Sequence, residues 1–302
     1  MNDFPARTLR IGTRSSPMAL AQTEHVSKLL RDLIPDLEIE VKPTTTKADR
    51  WQGDLARLGG KGLFVKDIDA QLQRGDIDMA IHCLKDVPGD VPMPQGLVFA
   101  AMLPRADVRD VLVVPEGSTV KTLADLSPGA AVATTAVRRK AQILKVRRDL
   151  NVIRVRGAVG TRLEKLEGKM GDLQAEAMVL ARAGLERLGL EDRIRHEFTS
   201  HEMLPAVGAG VLALECRRND GPVAALLERL NDPKTQTEAT AERVMLHGLR
   251  GHCSMVFSRD GSKFVHAHIW GEISNDPGTL GARVSAGLLR QGARDIIEGI
   301  PH

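Results

Sequence analysis

The stretch "LRIGTRSSPMALAQTEHVSKLLRDL", residues 9–33, decides the fold class because a strand pattern changes to a helix pattern within a few residues. "LRIG" is typical of a strand, and the helix that follows has Ser16 as its N-cap and Pro17 at its first position. The apolar residues on the inner face of this helix are Ala19, Val26, Leu30 and Leu33. A strand that leads into an amphipathic helix indicates a largely parallel, helix-covered sheet.

The same alternation continues in two units of similar size. The first unit adds strands "LEIEVKPT" and "DMAIHCL" and a helix over 64–74. The second has strands "AAVATT", "NVIRVRG" and "AEAMVLA" and helices over 136–148, 160–167 and 183–188. The later strand "GVLALEC" can return to the first sheet, so the connections near 104–110 and 200–210 would form a two-strand hinge.

The end of the chain has a different pattern, which indicates a small α+β domain. "PVAALLERL" and "TEATAERVMLHGLR" are typical of helices, "SRDGS" of a hairpin and "FVHAHIWGEIS" of an alternating strand, and a last helix is expected over 281–298. The predicted fold class is therefore α/β, with two α/β domains and a C-terminal α+β domain. We expect domain 1 over 1–106 and 207–230, domain 2 with a basic cleft over 107–206, and domain 3 over 231–302.

The composition is that of a water-soluble globular protein, with 42% hydrophobic and 27% charged residues in 302. Three cysteines cannot all pair, and none lies in a C-x-x-C motif, which argues against a disulfide scaffold or a cysteine zinc site. The first residues lack the pattern of a signal peptide, and no apolar run approaches the length of a membrane span. We therefore expect a cytoplasmic protein without membrane contact.

Basic residues are concentrated in one part of the chain. The net charge is +3, but residues 134–165 contain ten Arg or Lys and two acidic residues. A solvated helix face is the usual explanation of such a run, but this one extends over a predicted helix and then a strand.

Three predicted turns between a strand and a helix carry arginine, and two of them carry hydroxyl side chains. These residues are Arg14 and Ser16 in the first turn, Thr134 and Thr135 as caps with Arg138 and Arg139 in the second, and Arg156 and Arg162 around the third. A cation at the start of a helix opposes the helix dipole unless an anion lies between them. Such turns also lie at the carboxyl ends of strands, where these sheets bind ligands. The pattern predicts a cleft that binds anions.

Four other motifs are less specific. Lys85 and Asp86 follow the strand "DMAIHCL", where a carboxylate can act as an acid, a base or a cation stabiliser, although a surface ion pair is commoner. "VGAGVLALE" resembles a dinucleotide-binding motif, but its glycines precede a strand, and "GGKGLF" lacks the spacing of a P-loop. His252, His266 and His268 could form a metal site, but alternate strand residues usually share a solvated face, so we expect no metal.

Cys253 lies in a polar stretch, "LRGHCSMVFS", whereas Cys83 and Cys216 lie in apolar, strand-like runs. A cysteine in an apolar run is usually a small buried hydrophobic residue, and Cys253 requires another explanation.

Taken together, the order and spacing of these stretches resemble the porphobilinogen deaminase family over nearly the whole chain. The matching stretches are "LRIGTRSSPMALAQ", "GGKGLFVKDID", "DMAIHCLKDVP", "RRKAQ", "VRGAVGTRLEKL", "AGLERLGL", "LPAVGAGVLALECR" and "TAERVML". The resemblance implies two domains like those of a periplasmic binding protein and a third domain that carries one cysteine. It also implies a transferase of porphyrin and haem biosynthesis that joins four porphobilinogen molecules head to tail into hydroxymethylbilane and releases ammonia.

The resemblance implies roles for particular residues. Cys253 would hold a dipyrromethane cofactor through a thioether, and Asp86 would be the catalytic carboxylate. The residues that bind the cofactor would be Lys85, Thr134, Thr135, Arg138, Arg139 and Arg156. The residues that bind the substrate would be Arg14, Ser16, Lys61, Phe64, Arg162 and Arg187. Each pyrrole carries an acetate and a propionate, which the basic residues would neutralise. We expect a monomer without nucleic acid.

The sequence departs from the family pattern at five neutral positions. Cys83 and Ala136 stand where the family has serine, Ala158 where it has asparagine, Ala209 where it has glutamine and His252 where it has glycine. The charged groups are retained, and several neutral hydrogen-bonding groups are lost.

Two other functions compete with this interpretation. A non-catalytic, two-lobed anion-binding protein would explain the arginine turns but would give no role to Asp86 or Cys253. Ammonia release from porphobilinogen separates these two functions. A nucleic-acid-binding module would use aromatic residues to stack on bases, and residues 134–165 contain none.

Overall fold

The computed structural model describes residues 4, 7–51, 62–63, 65–171, 173–249, 255–258, 260–267 and 276–298. These residues form two five-stranded sheets and one two-stranded sheet, each with helices against it. The arrangement confirms the predicted fold class, two α/β units with a small α+β unit at the end of the chain.

The strands are β1 (Leu9–Arg14), β2 (Ile39–Thr44), β3 (Met79–Cys83), β4 (Leu97–Met102), β5 (Asp110–Val113), β6 (Ala131–Ala133), β7 (Asn151–Ile153), β8 (Ala177–Ala181), β9 (His196–Glu197), β10 (Leu212–Arg217), β11 (Met255–Phe257) and β12 (Phe264–His266). The helices are α1 (Pro17–Leu33), α2 (Lys47–Arg50), α3 (Lys66–Arg74), α4 (Val137–Val146), α5 (Val159–Leu166), α6 (Arg182–Glu186), α7 (Gly221–Glu228), α8 (Pro233–Leu249), α9 (Pro277–Arg290) and α10 (Ala293–Glu298).

The first sheet has the strand order β2-β1-β3-β10-β4. β1, β2 and β3 are parallel, and β10 is antiparallel to both of its neighbours. Successive residues of β3 pack in different cores, because Ile81 lies in the cluster that includes α1 residues and Ala80 in the cluster that includes α3 residues. Helices therefore cover both faces of the sheet. The return of β10 confirms the prediction made for "GVLALEC".

The second sheet repeats this plan, with the strand order β7-β6-β8-β5-β9. β6 is parallel to β7 and β8, and β5 is antiparallel to β8 and β9. Val132 packs with Ile143 of α4, whereas the next residue, Ala133, packs with Leu163 of α5. Arg138, Arg139 and Arg156 follow the carboxyl ends of these parallel strands, whereas Lys145, Arg147 and Arg148 lie at the far end of α4.

Two connections, 103–109 and 198–211, join the sheets, as the hinge prediction requires. The backbone N–H of Ala106 donates to the carbonyl of Gly210 at 3.2 Å, and Gly210 has φ +79° with no room for a side chain beside Ala106. Arg105 donates through Nε to the Ala209 carbonyl at 2.9 Å and through its terminal nitrogens to Glu242 of α8 at 2.6 and 3.0 Å. The hinge is thus fixed to the third unit.

The third unit consists of α8, α9 and α10 with the β11–β12 hairpin, and it touches both larger units. Arg243 donates to the Pro88 carbonyl at 3.1 Å, and Lys145 of α4 lies 3.9 Å from the centre of the Phe264 ring. The hairpin confirms the signal of "SRDGS". The prediction of one last helix is wrong, because the chain bends at Gly292, which has φ +89° and separates α9 from α10.

The buried carboxylate of Asp78 joins several residues of the first sheet at the edge where its parallel strands begin. Asp78 accepts hydrogen bonds from the Arg10 backbone N–H at 2.9 Å and from the Arg10 guanidinium at 2.8 and 3.0 Å. Arg7 and Arg217 donate to it at 3.1 and 3.2 Å. Burial raises the pKa of Asp78, but the hydrogen bonds and charges of Arg10 and Arg7 outweigh that effect and lower it to about 2.

We predict that Asp78→Asn lowers the free energy of unfolding at pH 7 by about 2–4 kcal/mol, because three arginines lose a fully buried partner. The contribution of Asp78 is present above the pKa of the unfolded chain, about 4, and is lost as the pH falls towards 2. Urea unfolding at pH 7 and at pH 3 measures this, with the exposed Asp76→Asn as the control. Equal losses in the two variants would contradict the assignment.

Candidate active site

A cleft of ≈ 1110 Å³ lies between the two sheets, at the carboxyl ends of their parallel strands. Among the described residues its lining contains eight basic and four acidic side chains. The basic residues are Arg14, Lys85, Arg138, Arg139, Arg156, Arg162, Lys165 and Arg187, and the acidic ones are Asp49, Asp86, Asp107 and Asp110. The positive excess suits a ligand with several carboxylates.

Most of the predicted site residues meet in this cleft. The predicted residues that line it are Arg14, Ser16, Lys85, Asp86, Thr135, Arg138, Arg139, Arg156, Arg162 and Arg187. Thr134 is buried and is absent from the described lining. Lys61, Phe64, His252 and Cys253 lie outside the described residues, as does His268.

The first sheet supplies Arg14 from the end of β1 and Asp86 from the turn after β3. Ser16 caps α1 as predicted, because its hydroxyl accepts the Ala19 N–H at 3.3 Å. Lys85 and Asp86 lie in a short 3-10 turn and are both exposed. Asp86 is therefore a carboxylate at the end of a strand, open to the cleft.

Arg14 is bound by an internal carboxylate that the sequence analysis missed. The Arg14 guanidinium donates to Asp49 of α2, with one contact at 3.3 Å and a second, shorter one. Burial raises the pKa of Asp49, but hydrogen bonds from Arg14 and Thr46 lower it overall. The spacing of Thr46 and Asp49 is a capping box and could have identified α2, although nothing local indicates the pairing with Arg14.

Arg138 and Arg139 share a second internal carboxylate, Asp110 at the start of β5. Arg138 Nη2 lies 2.5 Å from Asp110 Oδ2, and Arg139 Nη2 lies 2.8 Å from Oδ1. Burial raises the pKa of Asp110, but the charges of Arg139 and Arg138 lower it overall. Arg139 also donates to the Val179 carbonyl at 3.1 Å, so this arginine is built into the second sheet.

The prediction that Thr134 and Thr135 cap α4 is wrong. The N-cap is Ala136, which has no side chain to accept a hydrogen bond. The Thr134 hydroxyl accepts the Ala136 N–H at 3.3 Å, and the Thr135 hydroxyl donates to the Val155 carbonyl at 2.8 Å. The two hydroxyls therefore stabilise the turn that precedes α4, and neither accepts an N–H of the helix itself.

Arg156 and Arg162 surround the turn into α5. Arg156 Nη1 donates to the Trp51 carbonyl at 2.8 Å, whereas its Nη2 is buried and has no hydrogen-bond partner among the described residues. Burial and the charge of Arg139 lower the pKa of Arg162, the negative charge of Asp86 opposes them, and the resulting pKa is about 10. Arg162 is therefore influenced both by a neighbouring cation, Arg139, and by the candidate catalytic carboxylate, Asp86.

Arg187 and Cys83 lie on the wall near the hinge. Arg187 Nη2 donates to the Gly210 carbonyl at 3.0 Å, and its Nη1 lies 4.0 Å from Cys83 Sγ. Gln22 Nε2 lies 3.2 Å from the same sulfur. The other described departures from the family pattern, Ala136, Ala158 and Ala209, also line the cleft.

A second polar cluster is buried on the other side of β3. His82 Nε2 lies 2.9 Å from Glu215 Oε2 and 4.0 Å from Asp69 Oδ1, beside a cavity of ≈ 190 Å³. Among the described residues it is the cluster whose ligand atoms are close enough to hold a metal ion. Burial and the charge of Glu215 raise the pKa of Asp69 to about 7, although His82 opposes the shift.

The fold and the cleft define a class, a two-lobed α/β protein with a basic wall for a ligand of several carboxylates. Residues 9–225 match the family model described as porphobilinogen deaminase, dipyromethane cofactor binding domain. The chain is 45% identical to "Porphobilinogen deaminase 2" of Streptomyces coelicolor over 97% of both chains. It is 38% identical to "Porphobilinogen deaminase" of Geobacillus kaustophilus over 97% of this chain and 98% of that one. The chain belongs to the porphobilinogen deaminase family.

The family assignment confirms the expected enzyme class, a transferase of tetrapyrrole biosynthesis with a dipyrromethane cofactor. Among solved structures the chain resembles an ABC transporter's periplasmic substrate-binding protein from Coxiella burnetii, with a TM-score of 0.45 and 13% identity over 78% of this chain and 96% of that one. Within the described residues, no helix combines the length and the apolar character that a membrane span needs.

We predict that Asp69→Asn reduces the pH dependence of stability between pH 5.5 and 8. The pKa of Asp69 is about 7 in the folded protein and about 4 in the unfolded chain, so the parent loses stability as the pH rises from about 4 to about 7. Asparagine cannot ionise, and the loss should shrink. Urea unfolding at both pH values measures the effect, with Asp67→Asn on the same helix as the control. An unchanged pH dependence in Asp69→Asn would refute it.

Proposed function

We propose that this chain joins four porphobilinogen molecules into hydroxymethylbilane on a dipyrromethane bound to Cys253, with Asp86 as the catalytic carboxylate. The observation that carries the proposal is that Asp86 is exposed in a cleft whose described lining includes eight basic side chains. Carboxylates of the ligand would neutralise those cations and leave Asp86 as a negative charge beside the reacting ring.

The second lobe suits the cofactor. Arg156 has a buried nitrogen that lacks a partner among the described residues, and a carboxylate is the natural acceptor for it. Arg138 and Arg139 are held in place by Asp110, and Lys85 of the first lobe lines the same cleft. Thr135 lines the cleft just before α4, and the Thr134 hydroxyl accepts the Ala136 N–H in the same turn. When bound, the dipyrromethane supplies the pyrrole carbon to which the next unit is joined.

The substrate would bind at the junction of the two lobes. Arg14, Ser16, Arg162 and Arg187 line that junction, and we propose Lys61 and Phe64 as further contacts. The two side-chain carboxylates of porphobilinogen match paired guanidinium groups well. Two carboxylates on each unit would fix the ring at a defined distance from Asp86.

Asp86 would act on the substrate while ammonia leaves. The aminomethyl group reacts as its ammonium, the form that predominates at neutral pH. Its C–N bond breaks, ammonia leaves with the bonding electron pair, and the remaining pyrrole is a cation. A fixed carboxylate stabilises that cation more than the neutral ring, which is the condition for catalysis. A new C–C bond then forms at the end of the growing chain, and the proton lost from that carbon can pass through Asp86.

Cys253 lies outside the described residues, so its role rests on the family and on its neighbours in the chain. Leu249 and Val256 lie on either side of it in the sequence, and both line the cleft. A thiolate is a strong nucleophile towards the activated methylene of a pyrrole, and the thioether that results is stable.

The domain division and the setting of the enzyme are part of the same proposal. We propose boundaries at 106/107, 206/207 and 230/231, which place the two connections at the hinge and α8 in domain 3. We also propose a cytoplasmic monomer that does not bind nucleic acid, since the basic side chains face a cleft suited to a small anionic ligand.

We predict that Asp86→Asn lowers the rate of porphobilinogen consumption roughly a hundred- to a thousandfold, the usual effect of removing one preorganised electrostatic partner. Asp86→Glu keeps the charge but displaces it, and should be impaired less. The assay uses holoenzyme whose cofactor loading has been verified by mass. The control, Asp76→Asn, lies at the other end of β3. Turnover of loaded Asp86→Asn within a few-fold of the parent would make Asp86 a structural partner of Lys85.

We predict that the intact mass exceeds the chain mass by two porphobilinogen units less two ammonias. Cys253→Ala should have the bare chain mass, because the thioether cannot form. Cys83→Ala is the matched control, since Cys83 also lines the cleft, and it should keep the adduct. An adduct on Cys253→Ala would disprove the anchor.

A further inference from the structure

Trp51 is an exposed aromatic side chain at a cleft whose described lining also includes twelve charged residues. Of the aromatic residues described in the lining, Phe257 is 9% exposed and Trp51 is 39% exposed. A large aromatic side chain that is partly exposed at a binding cleft is typical of ligand recognition, because burying it is favourable.

Both lobes hold the segment that ends at Trp51. On the first lobe, Arg14 binds Asp49, two residues before Trp51. On the second, Arg156 donates to the Trp51 carbonyl at 2.8 Å, although the two residues are 105 positions apart. Residues 49–51 therefore contact two arginines, one from each lobe, that are candidates for binding carboxylates.

This placement fits the two chemical features of a pyrrole that bears acetate and propionate groups. Its carboxylates require cations, and Arg14 and Arg156 line the same cleft as Trp51. Its flat ring is suited to a stacking surface, and an indole is the largest that a protein has.

We propose that Trp51 is a substrate-binding residue that stacks on a pyrrole ring of porphobilinogen as it enters the cleft. The inference rests on the proposed function and adds a contact made by the ring, whereas the arginines contact the carboxylates. A stacking contact made equally in the ground state and the transition state changes KM and leaves kcat unchanged.

The kinetic test compares Trp51→Ala, Trp51→Phe and Val137→Ala, each as holoenzyme with its cofactor loading verified by mass. Trp51→Ala should raise the KM for porphobilinogen roughly two- to tenfold, with kcat within about twofold, and Trp51→Phe should recover most of the loss. Val137 is the control, as an apolar cleft residue that is 57% exposed and has no ring. An unchanged KM in Trp51→Ala, or an equal rise in Val137→Ala, overturns the proposal.

The composition permits a direct optical test. The chain has two tryptophans and no tyrosine, so Trp270→Phe leaves Trp51 as the only strong emitter. Rapid mixing of Trp270→Phe holoenzyme with porphobilinogen should change the emission within the first turnover, with a half-saturation close to KM. Absence of any change overturns the stacking contact. Failure of the parent to release ammonia would instead overturn the proposed function.

Discussion

Asp110, with the two arginines that it binds, is the interaction on which the cleft depends. Arg138 and Arg139 are adjacent in the first turn of α4, where the helix dipole and their mutual repulsion both oppose their charges. Buried cations are tolerated only when they are paired and hydrogen-bonded. Asp110 binds one arginine with each of its oxygens and thereby fixes α4 to β5. The basic wall is therefore assembled before any ligand arrives, so these groups require little rearrangement on binding.

The positive wall is only partly neutralised by the chain itself. Arg14 is paired with Asp49, and the two arginines of α4 are paired with Asp110. The pKa of Arg162 falls to about 10 because the residue is buried and because Arg139 is near, and among the described residues Asp86 offsets this effect. A ligand carboxylate beside Arg162 would stabilise the positive charge of its guanidinium group. A ligand carboxylate that neutralises Arg162 also removes a positive charge that competes for Asp86. Asp86 can then stabilise the cation of the reacting pyrrole.

Local patterns predicted most of the fold, and contacts between distant residues account for what they missed. Alternating strand and helix periods identified the strands of both sheets, including β10, because periodicity is visible within a few residues. The prediction that β10 returns to the first sheet followed from the order of these elements along the chain. The pairing of Asp110 with Arg138 joins residues 28 positions apart, and no local pattern encodes it. Threonine is favoured both at a helix N-cap and in the turn before it. The residue type of Thr134 therefore could not distinguish these two positions. The role of Cys253 came only from the family resemblance, since one cysteine has no periodicity.

The starts of α4 and α5 show how the departures from the family pattern can be compatible with binding. Their N-caps are Ala136 and Ala158, and neither offers a side-chain acceptor to the first N–H groups of its helix. A missing cap normally destabilises a helix by about 1 kcal/mol. Here the first turns also carry or adjoin arginines, so a ligand carboxylate could satisfy the N–H groups and the guanidinium groups together. The loss of neutral caps then makes the stability of both turns depend more on the ligand, while the charges that select a carboxylate are unchanged.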